Sequence, residues 1–352
     1  MEQILALLVL PTFWIIASKF IFNNEISFKE ILIQFGITLF FIVGAYTISK
    51  ATLTSDTEIL NGQVMSKDKD RVSCSHSYSC NCSTDSKGNT SCDTCYEHSF
   101  DYDWNVHTNV GDLTIDRINR QGTKEPPRWT SVQIGEPVAL EHSFKNYIKG
   151  APMSIFNQEN GTSNTKFQLM IPTYPRVYDY YKINRIISIG VPLVNSNLLN
   201  DKLADSLKVL GPTKQSNILL VFVKTDDQSY RYVLERSWLG GKKNDIIIVI
   251  GVTDYPKISW VDTITLGKNA NNTMLQVKLR DDLMALQTID NYDNIINIIN
   301  ADVKSNFNRK HMKDYAYLDN EIQPSMTAMI IIFVLTLLCN IGLSIFFFKN
   351  EV

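Results

Sequence analysis

The chain predicts an α/β protein tied to a membrane, with three transmembrane helices, a strand-rich region carrying most of the cysteines, and an α/β/α sandwich. Three observations predict it. Residues 327–348, TAMIIIFVLTLLCNIGLSIFFF, hold no charge over a length that crosses a hydrocarbon core at about 1.5 Å per residue. From about residue 178 onward, purely apolar runs alternate with runs of helical periodicity. Five of the six cysteines crowd into the 22 positions 74–95.

In chain order, residues 1–49 read as a transmembrane helical hairpin with spans at 3–22 and 31–49. The second span is uncharged, and the first is interrupted only by Lys19, whose stem can snorkel to the headgroups. A cleaved signal peptide is the rival reading of the first span. It is disfavoured because Glu2 is the first charge and a second apolar run follows after only NNEISFKE. Gln34, Thr38 and Asn340 are candidates for hydrogen bonds between the helices. The spans carry too few ionisable groups for a conducting path, so their expected role is to anchor the chain in the lipid bilayer.

Residues 50–175 read as strand-rich, with a Cys-rich insert at 72–98. In FDYDWNVH, Phe100, Tyr102, Trp104 and Val106 alternate with Asp101, Asp103, Asn105 and His107, which predicts a strand with the first set inward and the second outward. The stretch 122–137 has three prolines and predicts loop with short edge strands. KDKDR at 67–71 alternates in sign and reads as a solvated loop, and no element is predicted over 143–166. A net charge of −2 without a basic stripe gives no electrostatic reason to expect a nucleic-acid partner.

Residues 176–312 carry the α/β alternation. KINRIISIGVPL predicts a strand, and Leu199, Leu203, Leu207 and Leu210 a helix stopped by Gly211 and Pro212. NILLVFVK and DIIIVIGV read as strands covered on both faces, with the helix SYRYVLERSWL between them ending at Gly240 and Gly241. KISWVDTITL predicts an edge strand, and helices over about 274–288 and through Ile295, Ile299, Val303 and Phe307 close the region. Residues 313–326 are left as a juxtamembrane linker before the last span.

The run ILLVFVKTDDQSYRYVLERSWLGGKKNDIIIVIGV, followed by an edge strand and two closing helices, resembles the TPM domain over roughly residues 180–312. The resemblance implies an α/β/α sandwich with a C-terminal membrane anchor, often extracytoplasmic, and brings a divalent-cation-dependent phosphatase activity as one expectation. The sequence departs from that family after Val252, where TDYPKIS replaces the usual acidic-basic turn, so the family's cation ligands do not carry over. The whole layout is also similar to uncharacterised membrane proteins of tailed phages and their hosts, which implies no activity.

Three readings fit the cysteines. Cys80-x-Cys82 and Cys92-x-x-Cys95 offer four sulfurs in two close pairs, as a tetrahedral structural Zn²⁺ requires, with Cys74, His76 and His98 as alternates. Disulfides stapling a loop in an oxidising compartment are the second reading, and a Cys92/Cys95 redox pair the third. The zinc reading is favoured, because an odd number of cysteines leaves one thiol over. Asp226, Asp227 and Asp254 follow the ends of two buried strands, where they would hold Ca²⁺ or Mg²⁺ or else serve as helix cap and turn residues; capping is favoured.

With three spans, residues 50–326 share a side with the N-terminus. Lys50, Arg309, Lys310 and Lys313 flank the spans on that side, against Lys29, Lys349 and Lys19 on the other. The bias predicts an inner or plasma membrane with the domain in the cytosol. The sequence therefore favours a membrane-anchored, non-enzymatic scaffold whose zinc-ordered insert meets a protein partner. The TPM-type phosphatase and an extracytoplasmic disulfide-stapled protein are the alternatives.

Overall fold

A computed structural model describes residues 2–22, 25–152, 165–266 and 272–350. The chain runs through α1 (Glu2–Ile21), α2 (Phe28–Thr54), β1 (Ser55–Val72), β2 (Ser77–Thr84), β3 (Thr90–Tyr96), β4 (Asp101–Thr108) and β5 (Gly111–Ile115). A short helix α3 (Pro127–Ser131), β6 (Pro137–Lys145) and α4 (Tyr147–Gly150) follow, then a 3-10 turn over Thr165–Met170. Next come β7 (Ile186–Ile189), α5 (Ser196–Lys214), β8 (Asn217–Val223), α6 (Tyr230–Ser237), β9 (Asp245–Gly251), β10 (Trp260–Ile264), α7 (Thr273–Ala285) and α8 (Tyr292–Asn306). A second 3-10 segment, Met312–Asn320, precedes α9 (Met326–Asn350). These elements divide into two compact units. One takes the described residues within 1–56, 143–160 and 311–352, and the other those within 57–142 and 161–310.

The first unit holds three helices long and apolar enough to cross a membrane: Gln3–Ile21, Phe28–Thr54 and Met326–Lys349. The second span starts at Phe28 rather than 31, because Ser27 and Glu30 form a capping box that satisfies the first free N–H groups of the helix. The polar residues predicted between the helices do meet. Gln34 Nε2 donates to Asn340 O at 2.8 Å and to Ser344 Oγ at 3.0 Å, and Thr38 Oγ1 donates to Asn340 Oδ1 at 2.9 Å. In an apolar bundle without a hydrophobic drive between helices, such bonds fix which faces touch. Part of the stretch 313–326, expected as linker, is the second 3-10 segment; its Asp319 pairs with Lys50 and Lys145.

The second unit contains two four-stranded sheets, ordered β5-β4-β1-β6 and β10-β9-β8-β7, and a separate two-stranded β2-β3 hairpin. Of the regions 50–175 and 176–312, most described residues fall in this unit, while those within 50–56, 143–160 and 311–312 fall in the first. In the second sheet β7, β8 and β9 are parallel and β10 is an antiparallel edge. Every residue of β8 and β9 is buried, as their unbroken apolar runs require. Leu220, Phe222, Ile248 and Ile250 face α5, α7 and α8, while Leu219, Val221, Ile247 and Val249 face α6 and Phe167. Helices therefore cover both faces. Since β7, β8 and β9 succeed one another in space while α5 and α6 lie on opposite faces, the two crossovers have opposite hands, and one is the rare left-handed kind.

Two local expectations are corrected. Helix α5 continues through Gly211 and Pro212 to Lys214: so near the C-terminal end proline forfeits one hydrogen bond and keeps a helical φ. Gly211 is there for close approach, because a Cβ would sit 2.0 Å from the carbonyl oxygen of Asn61. KDKDR is not a loop but the end of β1. Its sign alternation is a strand's period of two: Lys67 lies over the ring of Trp129, Lys69 over Tyr102 and Trp104, and Arg71 over Phe100.

Candidate metal centre at the feet of the cysteine hairpin

The four cysteines expected to hold zinc do something else. Cys80 is bonded to Cys95 and Cys82 to Cys92, so both pairs join β2 to β3. The zinc expectation on Cys80, Cys82, Cys92 and Cys95 is thereby corrected: a sulfur in a disulfide is not a thiolate, and the thiolate is the metal ligand. The odd thiol that argued against disulfides is Cys74, which is free and buried, while Cys339 lies on α9. The physical reason for the staple is visible in the hairpin. Along β2 and β3 only Cys80 and Cys95 are even half-buried, so no apolar core holds the two strands together.

The residues named as alternates do converge. Cys74 and His76 lie in the link entering β2, His98 in the link leaving β3, and Asp101 is the first residue of β4. One ligand atom from each lies within 4.8 Å of all the others. Cys74 Sγ is 3.8 Å from His98 Nδ1, and His98 Nδ1 is 3.2 Å from Asp101 Oδ1. His76 Nδ1 is 3.4 Å from Asp101 Oδ2 but does not point along a hydrogen bond, which leaves it a buried nitrogen without a hydrogen-bond partner. The His76 backbone N–H donates to Cys74 Sγ at 3.4 Å, and the Cys74 thiol faces the His76 carbonyl at 3.6 Å.

Asp101 was expected on the outer face of its strand, yet it is fully buried. Burial pushes its carboxyl up, but the Ser75 N–H at 3.2 Å, the Arg117 guanidinium at 2.8 Å and Cys74 outweigh this and hold it at about 2. Arg117 also binds Asp103 through two nitrogens, at 3.0 and 2.7 Å. Its loop turns at Gly122, whose φ of +75 and closeness to the Tyr102 carbonyl both exclude a side chain. Glycine there lets the Arg117 loop lie against β4.

One sulfur, two imidazole nitrogens and a carboxylate form a donor set suited to Zn²⁺. Tetrahedral bonds of about 2.0–2.3 Å place ligand atoms about 3.3–3.8 Å apart, so the four groups need only draw together by about 1 Å. The orphaned His76 nitrogen fits such a group, since an ion would supply its missing partner. A recess of about 530 Å³ lined by Ser73, Cys74, Tyr96, Glu97, His98 and Ser99 opens beside it.

Asp226, Asp227 and Asp254 take no part. Among the described residues, the grouping of three or more His, Cys, Asp or Glu ligand atoms is the one around Cys74. Asp227 accepts from Lys166 Nζ at 2.7 Å and from the Ser229 N–H at 2.9 Å just before α6; these bonds hold its carboxyl at about 2. Asp226 and Asp254 are exposed, and the Asp254 carbonyl closes the turn before β10. A second recess, of about 740 Å³, is lined by Tyr174, Trp238, Arg176 and Lys242 among others. Its aromatic polar atoms are already engaged, Trp238 Nε1 with Pro172 O and Tyr174 OH with Asp245. No protein family, no curated protein and no solved structure matches the chain.

Proposed function

We propose that the chain is a membrane-anchored zinc protein whose stapled hairpin is offered to a protein partner from the oxidising side of the membrane. The observation that carries this reading is the convergence of Cys74, His76, His98 and Asp101 within 4.8 Å, with His76 Nδ1 buried and without a hydrogen-bond partner. A binding role rather than catalysis is supported by the carboxylate that closes the fourth position, since structural zinc sites are closed and catalytic ones keep a position open. The two disulfides favour an extracytoplasmic domain, because such bonds persist in oxidising compartments. This takes the opposite side from the one the flanking lysines and arginines suggest; a long domain translocates regardless of such charges.

The test is elemental analysis of the full chain, purified in mild detergent without chelator and equilibrated with micromolar zinc. The chain is expected to hold about one Zn²⁺. Cys74→Ser and His98→Ala are expected to lose most of it, whereas Cys82→Ser combined with Cys92→Ser keeps it. Zinc retained at full occupancy by Cys74→Ser, or no zinc taken up at all, would overturn the reading.

A further inference from the structure

The covalent and the ligating groups hold different things. Both disulfides run between β2 and β3, so they bind the strands of the hairpin to each other and to nothing else. The hairpin forms a sheet of its own and pairs with neither four-stranded sheet. Its residues are exposed except for half-buried Cys80 and Cys95, so it brings no fully buried side chain to the body. What joins it to the body lies at its feet. The Ser75 N–H and His98 Nδ1 both reach Asp101 at 3.2 Å, and Cys74 Sγ faces His98 at 3.8 Å. An ion pair between Glu97 and the largely exposed Arg120 adds little in water.

The candidate ligands come from those same feet: Cys74 and His76 from the link entering β2, His98 from the link leaving β3, and Asp101 from the body. An ion bound by all four ties both feet to each other and to the anchored end of β4. We infer that the metal ion is a removable clamp that fixes the direction of the hairpin, so that metal occupancy controls how the hairpin is presented. The inference rests on the zinc reading above and adds a consequence to it. Without the ion the disulfides keep the hairpin folded, and it becomes a stiff arm free to swing about its feet rather than a segment that melts.

The experiment uses the full chain in detergent with spin labels on unnatural amino acids at Lys87, exposed near the hairpin tip, and at Ser66, exposed on β1. Distance distributions are recorded with zinc, after chelation and after zinc is restored, while metal content and disulfide pairing are measured on the same samples. The expected result is a narrow distribution with zinc, a several-fold broadening on chelation with both disulfides intact, and recovery on re-addition. Cys74→Ser is expected to give the broad distribution even with zinc present. A zinc-loaded chain whose distribution stays narrow after the metal is removed would overturn the clamp while leaving the zinc site standing. Fast amide exchange throughout 78–95 in the chelated sample would overturn the stiff arm, and a chain that never takes up zinc would overturn the reading on which the clamp rests.

Discussion

Asp245 opens β9 in full burial, with Asn217 Nδ2 donating to one carboxylate oxygen at 2.9 Å and Tyr174 OH and the Lys242 N–H to the other at 2.8 and 2.7 Å. Burial pushes its carboxyl up to about 6, against the pull of those three donors and the Lys242 charge. An unfolded aspartate titrates near about 3.9, so the folded state holds this proton more tightly than the unfolded one. Stability contributed by the group is therefore present at low pH and falls as pH rises from about 4 to about 6. Replacing it by Asn217's own side-chain type, Asp245→Asn, is expected to remove that slope. The stability difference between wild type and variant, followed by tryptophan fluorescence in urea, should shift against wild type by about 2–3 kcal/mol across the window. A difference independent of pH would show that Asp245 does not titrate in the folded chain. Single residues were also where sequence patterns misled. Period two marked Trp104 and Val106 as buried, and they are, but it also placed Asp101 outside. No pattern in the sequence announces that Arg117, 16 positions on, returns to neutralise it.

At the scale of elements, strands and helices of the second sheet were legible because each apolar run matches a layer. β8, β9, β10, α7 and α8 fall where runs and periodicities placed them. The hand of the two crossovers was not legible, since it depends on which face each helix covers and alternating runs look alike from either face. The cysteine hairpin shows the same limit. CxC and CxxC spacings suit a zinc site or a staple equally, and what decides is pairing: β2 and β3 run antiparallel with an irregularity between Cys80 and Ser83, where Asn81 takes a positive φ. That kink brings Cys82 opposite Cys92 and leaves Cys80 to Cys95. Mass mapping of peptides from the unreduced full chain should recover Cys80 linked to Cys95 and Cys82 to Cys92, with Cys74 alkylated only after unfolding. Recovery of Cys80 linked to Cys82, or of four free thiols, would be incompatible with the hairpin. Closing the outer loop of 15 residues removes on the order of 3 kcal/mol from the unfolded chain's advantage, and the loop of 10 nested within it adds less, so Cys82→Ser with Cys92→Ser is expected to loosen β2 and β3 only locally.

For the molecule as a whole, the three helices long and apolar enough to cross a membrane were legible because the required length is set by bilayer thickness. For the side of the membrane, flanking charge is a weak guide for a domain of this length. The stapled hairpin bears on the question through chemistry, since its two disulfides need an oxidising compartment to persist. Under the topology proposed above, Lys124 and Lys29 report opposite sides of the membrane, so one labelling experiment reads both. Lys124 is exposed in the loop before α3, and Lys29 is exposed at the start of α2. With Cys74 buried and Cys339 within a span, cysteines placed at those two positions stand out against a low background. In intact cells, a membrane-impermeant maleimide is expected to modify Lys124→Cys at once and Lys29→Cys only after permeabilisation. The reverse pattern would put the hairpin in a reducing cytosol, where Cys80, Cys82, Cys92 and Cys95 would be thiols and the division between staple and clamp would fail with them.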